Sequence, residues 1–306
     1  MTWQEAVSPA ERKELLAIVD WRAWLSIAVD WGLVGASFAL VALVPNPLTV
    51  LTAIAVIGGR QLGLAILMHE AAHRILLRDR HRNDWVGNWL CAYPVYLDVH
   101  PYRKYHLRHH ANTWTKDDPD LALATPFPIT RASLRRKVWR DLSGRTGWKR
   151  LKYTLKGDLG MSPGLGQRSK RYPGWVSFRG MIVTNAFLFG LLTLVGHPAL
   201  YLLWVGAWFT TYSLVTRIRS IAEHAMIPDP GDELGNTRTT IARWWERLLV
   251  APNYVNYHLE HHLMVTVPHH RLPRLHRLLR DRGVLDSACL TRGYPAVLRR
   301  AASRAT

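Results

Sequence analysis

Apolar residues gather in long runs separated by charged segments, and the lengths of those runs set the class of the protein. Trp24 to Val44 and Leu48 to Met68 each match the roughly 20 helical residues that a bilayer core requires. Pro45-Asn46-Pro47 joins them in a tight turn, with Pro47 suited to a helix start. Met181 to Val195 and Ala199 to Thr216 form a second pair around Gly196-His197-Pro198; each limb is short for a span, which tilt or local thinning accommodates. The pattern predicts an all-α integral membrane protein: four transmembrane helices in two hairpins, near residues 24–44, 48–68, 180–196 and 199–217, under a helical cap. Trp85 to Val99 is apolar and aromatic but short, with Pro94 inside it, and reads as interfacial or re-entrant. No Gly/Ser-rich or Pro-rich linker divides the chain, so one domain over residues 1–306 is expected.

Polar residues interrupt two of these runs: Asp30 in the first, and Arg60 with Gln61 in the second. A charge in hydrocarbon costs about 3 kcal/mol on insertion scales and normally faces a partner or a wet cavity. Asp30 and Arg60 therefore read as a pair, the alternative being that both lie nearer an interface.

The charge distribution adds orientation. A formal charge of +18 and a pI near 10.5 would raise nucleic acid as a partner, but the basic residues concentrate in the segments between and after the apolar runs while the two tight turns contain no Lys or Arg. That asymmetry argues against nucleic acid and puts residues 45–47 and 196–198 outside, with both termini in the cytosol. Glu5, Glu11, Arg12, Lys13 and Glu14 precede any apolar run, so no cleavable signal peptide is expected. Between Thr130 and Arg179, Arg135, Arg136, Lys137, Arg140, Lys149, Arg150 and Lys152 interleave with Leu134, Val138, Trp139, Leu142, Trp148 and Leu151. Helices resting on an anionic leaflet have this composition, and so does a solvated face. The mean hydropathy of -0.06 reflects charged loops diluting the spans. Cys91 and Cys289 are too few for an iron–sulfur cluster and read as packing residues.

The candidate chemistry lies in histidine. His106-Leu107-Arg108-His109-His110 and His258-Leu259-Glu260-His261-His262 repeat one spacing, and His69-Glu70-Ala71-Ala72-His73 sits at the foot of the second span. Offsets of three and four share a helix face, so each triplet is expected to present its imidazoles to a common point. Eight clustered imidazoles exceed what one zinc takes, four ligands or three plus water, and imply two metals. His69 to His73 alone matches the zinc metalloprotease motif HExxH, a reading that leaves the other six imidazoles without a role. Membrane metal transport would place ligands within the spans rather than at their ends. Neutral imidazoles suit iron, which, unlike zinc, can cycle redox state. Glu70, Asp98, Asp117, Asp118, Asp120, Glu223 and Glu260 lie close enough in sequence to orient ligand rings. His81, His100, His197, His269, His270 and His276 fall outside the boxes and read as non-ligands.

The three boxes together resemble the membrane fatty acid desaturase superfamily, whose members carry HxxxH or HxxxxH followed by two HxxHH boxes and bind two irons. The resemblance runs from about Gly59 to Leu279 and extends to Arg60-Gln61, Asp117-Asp118-Pro119-Asp120, the stretch from Arg217 to His224, and Asn256-Tyr257. It implies a ninth ligand, a lone histidine after the last span, here His224. The implied set for two irons is His69, His73, His106, His109, His110, His224, His258, His261 and His262. Acyl-CoA desaturases place an asparagine four residues before the lone histidine, where this chain has Ser220.

The implied activity is O2-dependent desaturation of a fatty acyl or other aliphatic chain, since some bacterial relatives act on non-lipid metabolites. Hydroxylases and carotenoid ketolases share the boxes and are the alternative. The chain has no cytochrome, flavin or iron–sulfur motif, so the electrons are expected from a separate donor with its reductase. A small acidic ferredoxin-type protein would be steered to the basic face. The expected location is a bacterial inner membrane, with the site cytosolic.

Overall fold

The computed structural model describes residues 2–155 and 174–305; residues 156–173 of the basic segment lie outside the described residues. After a short helix α1 (Pro9–Leu15), the first hairpin consists of α2 (Asp20–Leu43) and α3 (Pro47–Ala72). Asn46 caps α3, its side chain accepting from the Leu48 and Thr49 amides (3.0 and 3.1 Å), with Pro47 in the first turn. Val34, Phe38 and Val41 of α2 join Ala53 and Ile57 of α3 in one core. The apolar run of α3 ends at Met68, but the helix continues to Ala72 with His73 at its C-cap.

The stretch from 85 to 99 is broken as Pro94 suggests. Helix α4 (Arg80–Val86) passes into a π-helical turn (Gly87–Ala92), a 3-10 turn (Tyr93–Val95) and a left-handed Tyr96 (φ 60°). Trp31 Nε1 donates to the Leu90 carbonyl and Trp208 Nε1 to that of Val95, both at 3.0 Å, so indole donors from the spans satisfy backbone that a regular helix would have paired. Helix α5 (Val99–Asn112) follows, then α6 (Leu121–Ala124) and two basic helices, α7 (Arg131–Leu142) and α8 (Arg145–Leu155).

The second hairpin is longer than its apolar runs. Its first limb is α9 (Gly174–Leu194); its second joins α10 (Tyr201–Phe209) to α11 (Thr211–His224) through a kink at Thr210 (φ −112°, ψ −85°). Residues Trp175–Leu194 and Pro198–His224 make two of the four helices among the described residues that are long and apolar enough to cross a membrane, the others being α2 and α3. At the kink, Thr211 Oγ1 donates to the Ile54 carbonyl (2.7 Å). Gly58 permits this approach, since a Cβ there would lie 2.1 Å from that hydroxyl.

The remaining chain builds the cap from α12 (Trp244–Leu249), α13 (His258–Leu263), α14 (Leu272–Asp281) and α15 (Tyr294–Ala301). Two three-residue strands, β1 (Thr239–Ile241) and β2 (Leu290–Arg292), pair in parallel and are the departure from helix among the described residues. Cys91 and Cys289 are buried and unbridged.

A polar cluster braces the middle of α3. Arg60 Nη1 donates to Asp30 Oδ1 at 3.0 Å, as the sequence suggests, and both side chains are buried. Arg60 Nη2 donates to the Arg247 carbonyl (3.2 Å) and to that of Leu248, taking up carbonyls at the end of α12. Asn253 Nδ2 bridges Asp30 Oδ2 (2.8 Å) and the Gly63 carbonyl (3.0 Å). A Cβ on Gly63 would lie 2.5 Å from the Asp30 carboxylate, so this packing requires glycine.

Candidate metal centre

Four helix segments converge beneath the spans. Asp98 caps α5 by accepting from the His100 amide (2.8 Å) and also accepts from Ser177 Oγ (2.7 Å). Arg103 of α5 donates to the Ala72 and Ala71 carbonyls, both at 2.8 Å, tying α5 to the end of α3. Arg238 does the same for α11, donating to the Ala222 and Met226 carbonyls (3.1 and 2.9 Å). Arginine on the last carbonyls of a helix satisfies orphan acceptors and complements the dipole.

All nine histidines of the implied set meet here, in two nests. The ligand atoms of His69, His73, His106, His110 and His261 lie within 4.8 Å of one another, and so do those of His109, His224 and His262. His258 joins the second nest, its Nε2 2.8 Å from that of His224. The triplets do not each converge on one point as the spacing suggests. In both boxes the first and last histidines share a nest and the middle one crosses to the other. At ~100° per residue, positions i and i+4 project about 40° apart but i+3 and i+4 about 100° apart, so one helix between two nests feeds both.

The nests suit a cation. His73 Nε2, His109 Nε2 and His262 Nε2 are buried without a hydrogen-bond partner among the described residues. Within the first nest, His110 Nε2 lies 2.8 Å from His106 Nε2 and 3.1 Å from His261 Nε2. Burial, then neighbouring imidazoles, lowers the pKa of His73 to about 3 and holds His106, His258, His261 and His262 well below the ordinary histidine value. These five rings are therefore neutral at pH 7, the form that ligates metal. This donor set fits two imidazole-bound transition-metal ions.

The carboxylates near the boxes take different places. Asp118 Oδ1 lies 2.7 Å from His109 Nδ1, which directs that ring's Nε2 inward. Burial would raise the Asp118 pKa, but the bond to His109 and the amides of Asp120 and Trp114 outweigh it and leave it lowered. Glu223 Oε1 is 3.6 Å from His258 Nδ1 and 2.5 Å from Arg219 Nε. Asp120 Oδ2 lies 3.8 Å from His109 Nδ1 and its Oδ1 accepts from the Tyr105 hydroxyl. Glu70 Oε1 is 3.8 Å from His69 Nδ1, while its Oε2 accepts from the His269 amide (2.8 Å) and meets that ring at 3.1 Å. Glu260 bonds His276 Nδ1 (2.6 Å) and Thr239 Oγ1 (2.5 Å). Asp117 stands apart, its side chain 58 % exposed and its carboxylate 3.6 Å from Arg108. His81, His100, His197, His269, His270 and His276 belong to neither nest, and His269 and His276 meet the box carboxylates Glu70 and Glu260. No helical spacing marks those two, because Glu70 and His269 are 199 residues apart and Glu260 and His276 are 16 apart.

The fatty acid desaturase family model matches residues 45–292, most of the chain and every histidine of both nests. The chain belongs to the fatty acid desaturase family. Among curated proteins, this desaturase-family chain is similar to dihydrorhizobitoxine desaturase of Bradyrhizobium elkanii, 27% identical over 232 residues; the match covers 71% of this chain and 63% of that relative's length.

Beside the nests the desaturase-family chain forms a half-open cavity of about 340 Å³. His106, His109, His224 and His258 line it together with Leu62, Ala65, Met68, Leu97, Leu123 and Phe127. Ser220 reaches the same cavity one helical turn before His224. A smaller polar recess of about 230 Å³ meets the nests from another side, at His110 and His262.

Proposed function

We propose that this protein is an O2-dependent di-iron oxidoreductase that introduces a double bond into an aliphatic chain. The observation that carries the reading is the pair of imidazole nests opening onto a largely apolar cavity. His69, His73, His106, His110 and His261 would hold one iron, and His109, His224, His258 and His262 the other. When bound, the irons supply the redox power that removes hydrogen from an unactivated methylene pair with O2 as oxidant. Balanced, O2, two electrons, two protons and the two substrate hydrogens yield a double bond and two waters. The chain's own share is placement: the apolar walls hold the methylenes beside the nests and keep out bulk water. Asp118 holds the proton of His109 at Nδ1, and Glu223 stands in line to do so for His258. The name of the bacterial relative supports desaturation over hydroxylation, and the substrate need not be a fatty acid.

The electrons would come from a separate acidic donor attracted to the basic cap. We place the cap and both termini in the cytosol of a bacterial inner membrane, on the charge asymmetry of the loops. A cysteine introduced at Asn46 should then react with an impermeant reagent in intact cells while one at Thr146 stays protected; the reverse pattern would overturn this orientation.

The deciding experiment pairs metal analysis with lipid and metabolite profiling of a host with and without the protein. About two irons per chain and a new double bond are expected. One zinc with no iron after anaerobic reconstitution with both would sink the di-iron reading, and a new hydroxyl or keto group would replace desaturation by the hydroxylase or ketolase outcome.

A further inference from the structure

Three arginines line the cavity beside the nests, and two are neutralised. Arg217 makes a bidentate pair with the buried Asp141, Nη2 lying 2.8 Å from Oδ1, and Arg219 pairs with Glu223 at 2.5 Å. Arg150 has no carboxylate partner among the described residues, and its Nη1 is buried without a hydrogen bond. Aromatic faces hold it in place: the guanidinium carbon is 4.8 Å from the Tyr212 ring centroid and 5.8 Å from that of Trp208. The residue after Tyr212 contributes a second unmatched group, since Ser213 Oγ also lines the cavity, buried and unpartnered. Leaving buried donors unmatched is costly, the more so when one is charged.

These groups lie at the opposite end of the cavity from the imidazoles. Tyr212, Thr216, Ser220 and His224 all line it and follow one another at four-residue steps along α11. At about 1.5 Å per residue, Tyr212 and His224 are ~18 Å apart. A ligand that satisfies both ends has an anionic, acceptor-bearing head and an aliphatic body long enough to lie along the nests.

We propose that the cavity selects aliphatic substrates with a carboxylate or phosphate head, and that Arg150, assisted by Ser213, binds that head. This rests on the reading of the cavity as the substrate site. An ammonium head is repelled by Arg150, and a neutral head leaves its charge unanswered. A cavity of about 340 Å³ sits at the small end of ligand pockets and accepts one chain, either that of a free acid or one chain of a phospholipid whose phosphate meets Arg150.

The test uses full-length protein in phosphatidylcholine nanodiscs and equilibrium binding of radiolabelled dodecanoate, dodecanol and dodecylamine, corrected with empty discs. Dodecanoate should bind at least ~10-fold tighter than dodecanol, and Arg150→Gln should erase that preference while dodecanol binding stays as it was. Arg150→Lys should keep part of the preference, and Ser213→Ala should weaken dodecanoate by a smaller factor. Adding phosphatidylglycerol to the discs separates the sources. Competition with dodecanoate in the parent but not in Arg150→Gln assigns the lipid phosphate to Arg150, and undiminished dodecanoate binding assigns the free acid. Equal binding of acid and alcohol in the parent, a preference for the amine, or an equal loss of both ligands in Arg150→Gln would overturn the proposal. Binding is read without iron or turnover, so failure to load iron sinks the metal reading alone, whereas absence of saturable binding by any probe sinks the cavity as substrate site and this proposal with it.

Discussion

Helix α3 carries two buried polar clusters, one at Arg60 and one at His69, about 13 Å apart along its axis. In the first, donors meet acceptors: the Arg60 guanidinium faces a carboxylate and two carbonyls, and Asn253 closes the far side of Asp30. In the second, ring nitrogens face ring nitrogens, and those of His73, His109 and His262 have no partner among the described residues. Among the described residues the first cluster leaves Arg60 Nε and Gln61 Oε1 unmatched, and it holds helices together. The second offers a set of imidazole nitrogens that could hold a metal ion from outside the chain. Burial is common to both, so burial of polar groups does not by itself mark a functional centre; the mismatch of donors and acceptors does.

That contrast is open to direct attack, because changes at one cluster should move metal content and changes at the other should move stability. His261→Ala or His109→Ala is expected to abolish activity, by at least ~100-fold, and to lower the iron bound while the yield of folded protein holds. Retention of full iron and activity in either variant would break the assignment. Next in size, Asp30→Leu or Arg60→Leu alone leaves an uncompensated buried charge, a loss of about 3–5 kcal/mol. Folded yield should fall while iron per folded chain stays constant. The double variant should recover part of the yield and not all of it, since Asn253 and the α12 carbonyls also lose their partner; a double variant no better than the worse single would show that the two charges are not coupled.

Asp118→Ala should weaken metal binding by about 10–100-fold, the usual penalty for removing a carboxylate that orients a ligand ring, as seen in a metal titration. Asp117→Ala, at an exposed carboxylate facing Arg108, should leave the titration unchanged. The smallest effect expected is none: His81 is exposed and outside both nests, so His81→Ala should match the parent in iron and activity. An inactive His81→Ala would show that histidine loss alone is not diagnostic of the nests.

The features legible in the sequence are those written in local spacing. Apolar runs mark the two hairpins, and offsets of three and four mark the boxes. The pairing of Asp30 with Arg60 is legible because hydrocarbon tolerates few alternatives. The lower half of the last helix is harder to read: α11 continues in register to His224, but Arg217, Arg219 and Glu223 make it polar, so hydropathy stops near residue 217. Without the family resemblance nothing local singles out His224. The splitting of each triplet between nests depends on which helices flank α5 and α13, and that is tertiary information. The roles of His269 and His276 are likewise set by contacts across the fold. The β1–β2 pair escapes notice because three-residue strands about 50 positions apart carry no usable periodicity.

The crossing of the middle histidine of each box has a consequence for a chain still being synthesised. A nascent chain that has emerged only through residue 224 holds His69, His73, His106 and His110 of one nest but only His109 and His224 of the other. The first nest can reach a four-imidazole set before the last box exists, whereas the second cannot. When α13 arrives, His261 completes the first while His258 and His262 complete the second, so one docking event closes both. The order of the chain thus offers the first nest a partial donor set before the second, whose His258 and His262 come only with α13.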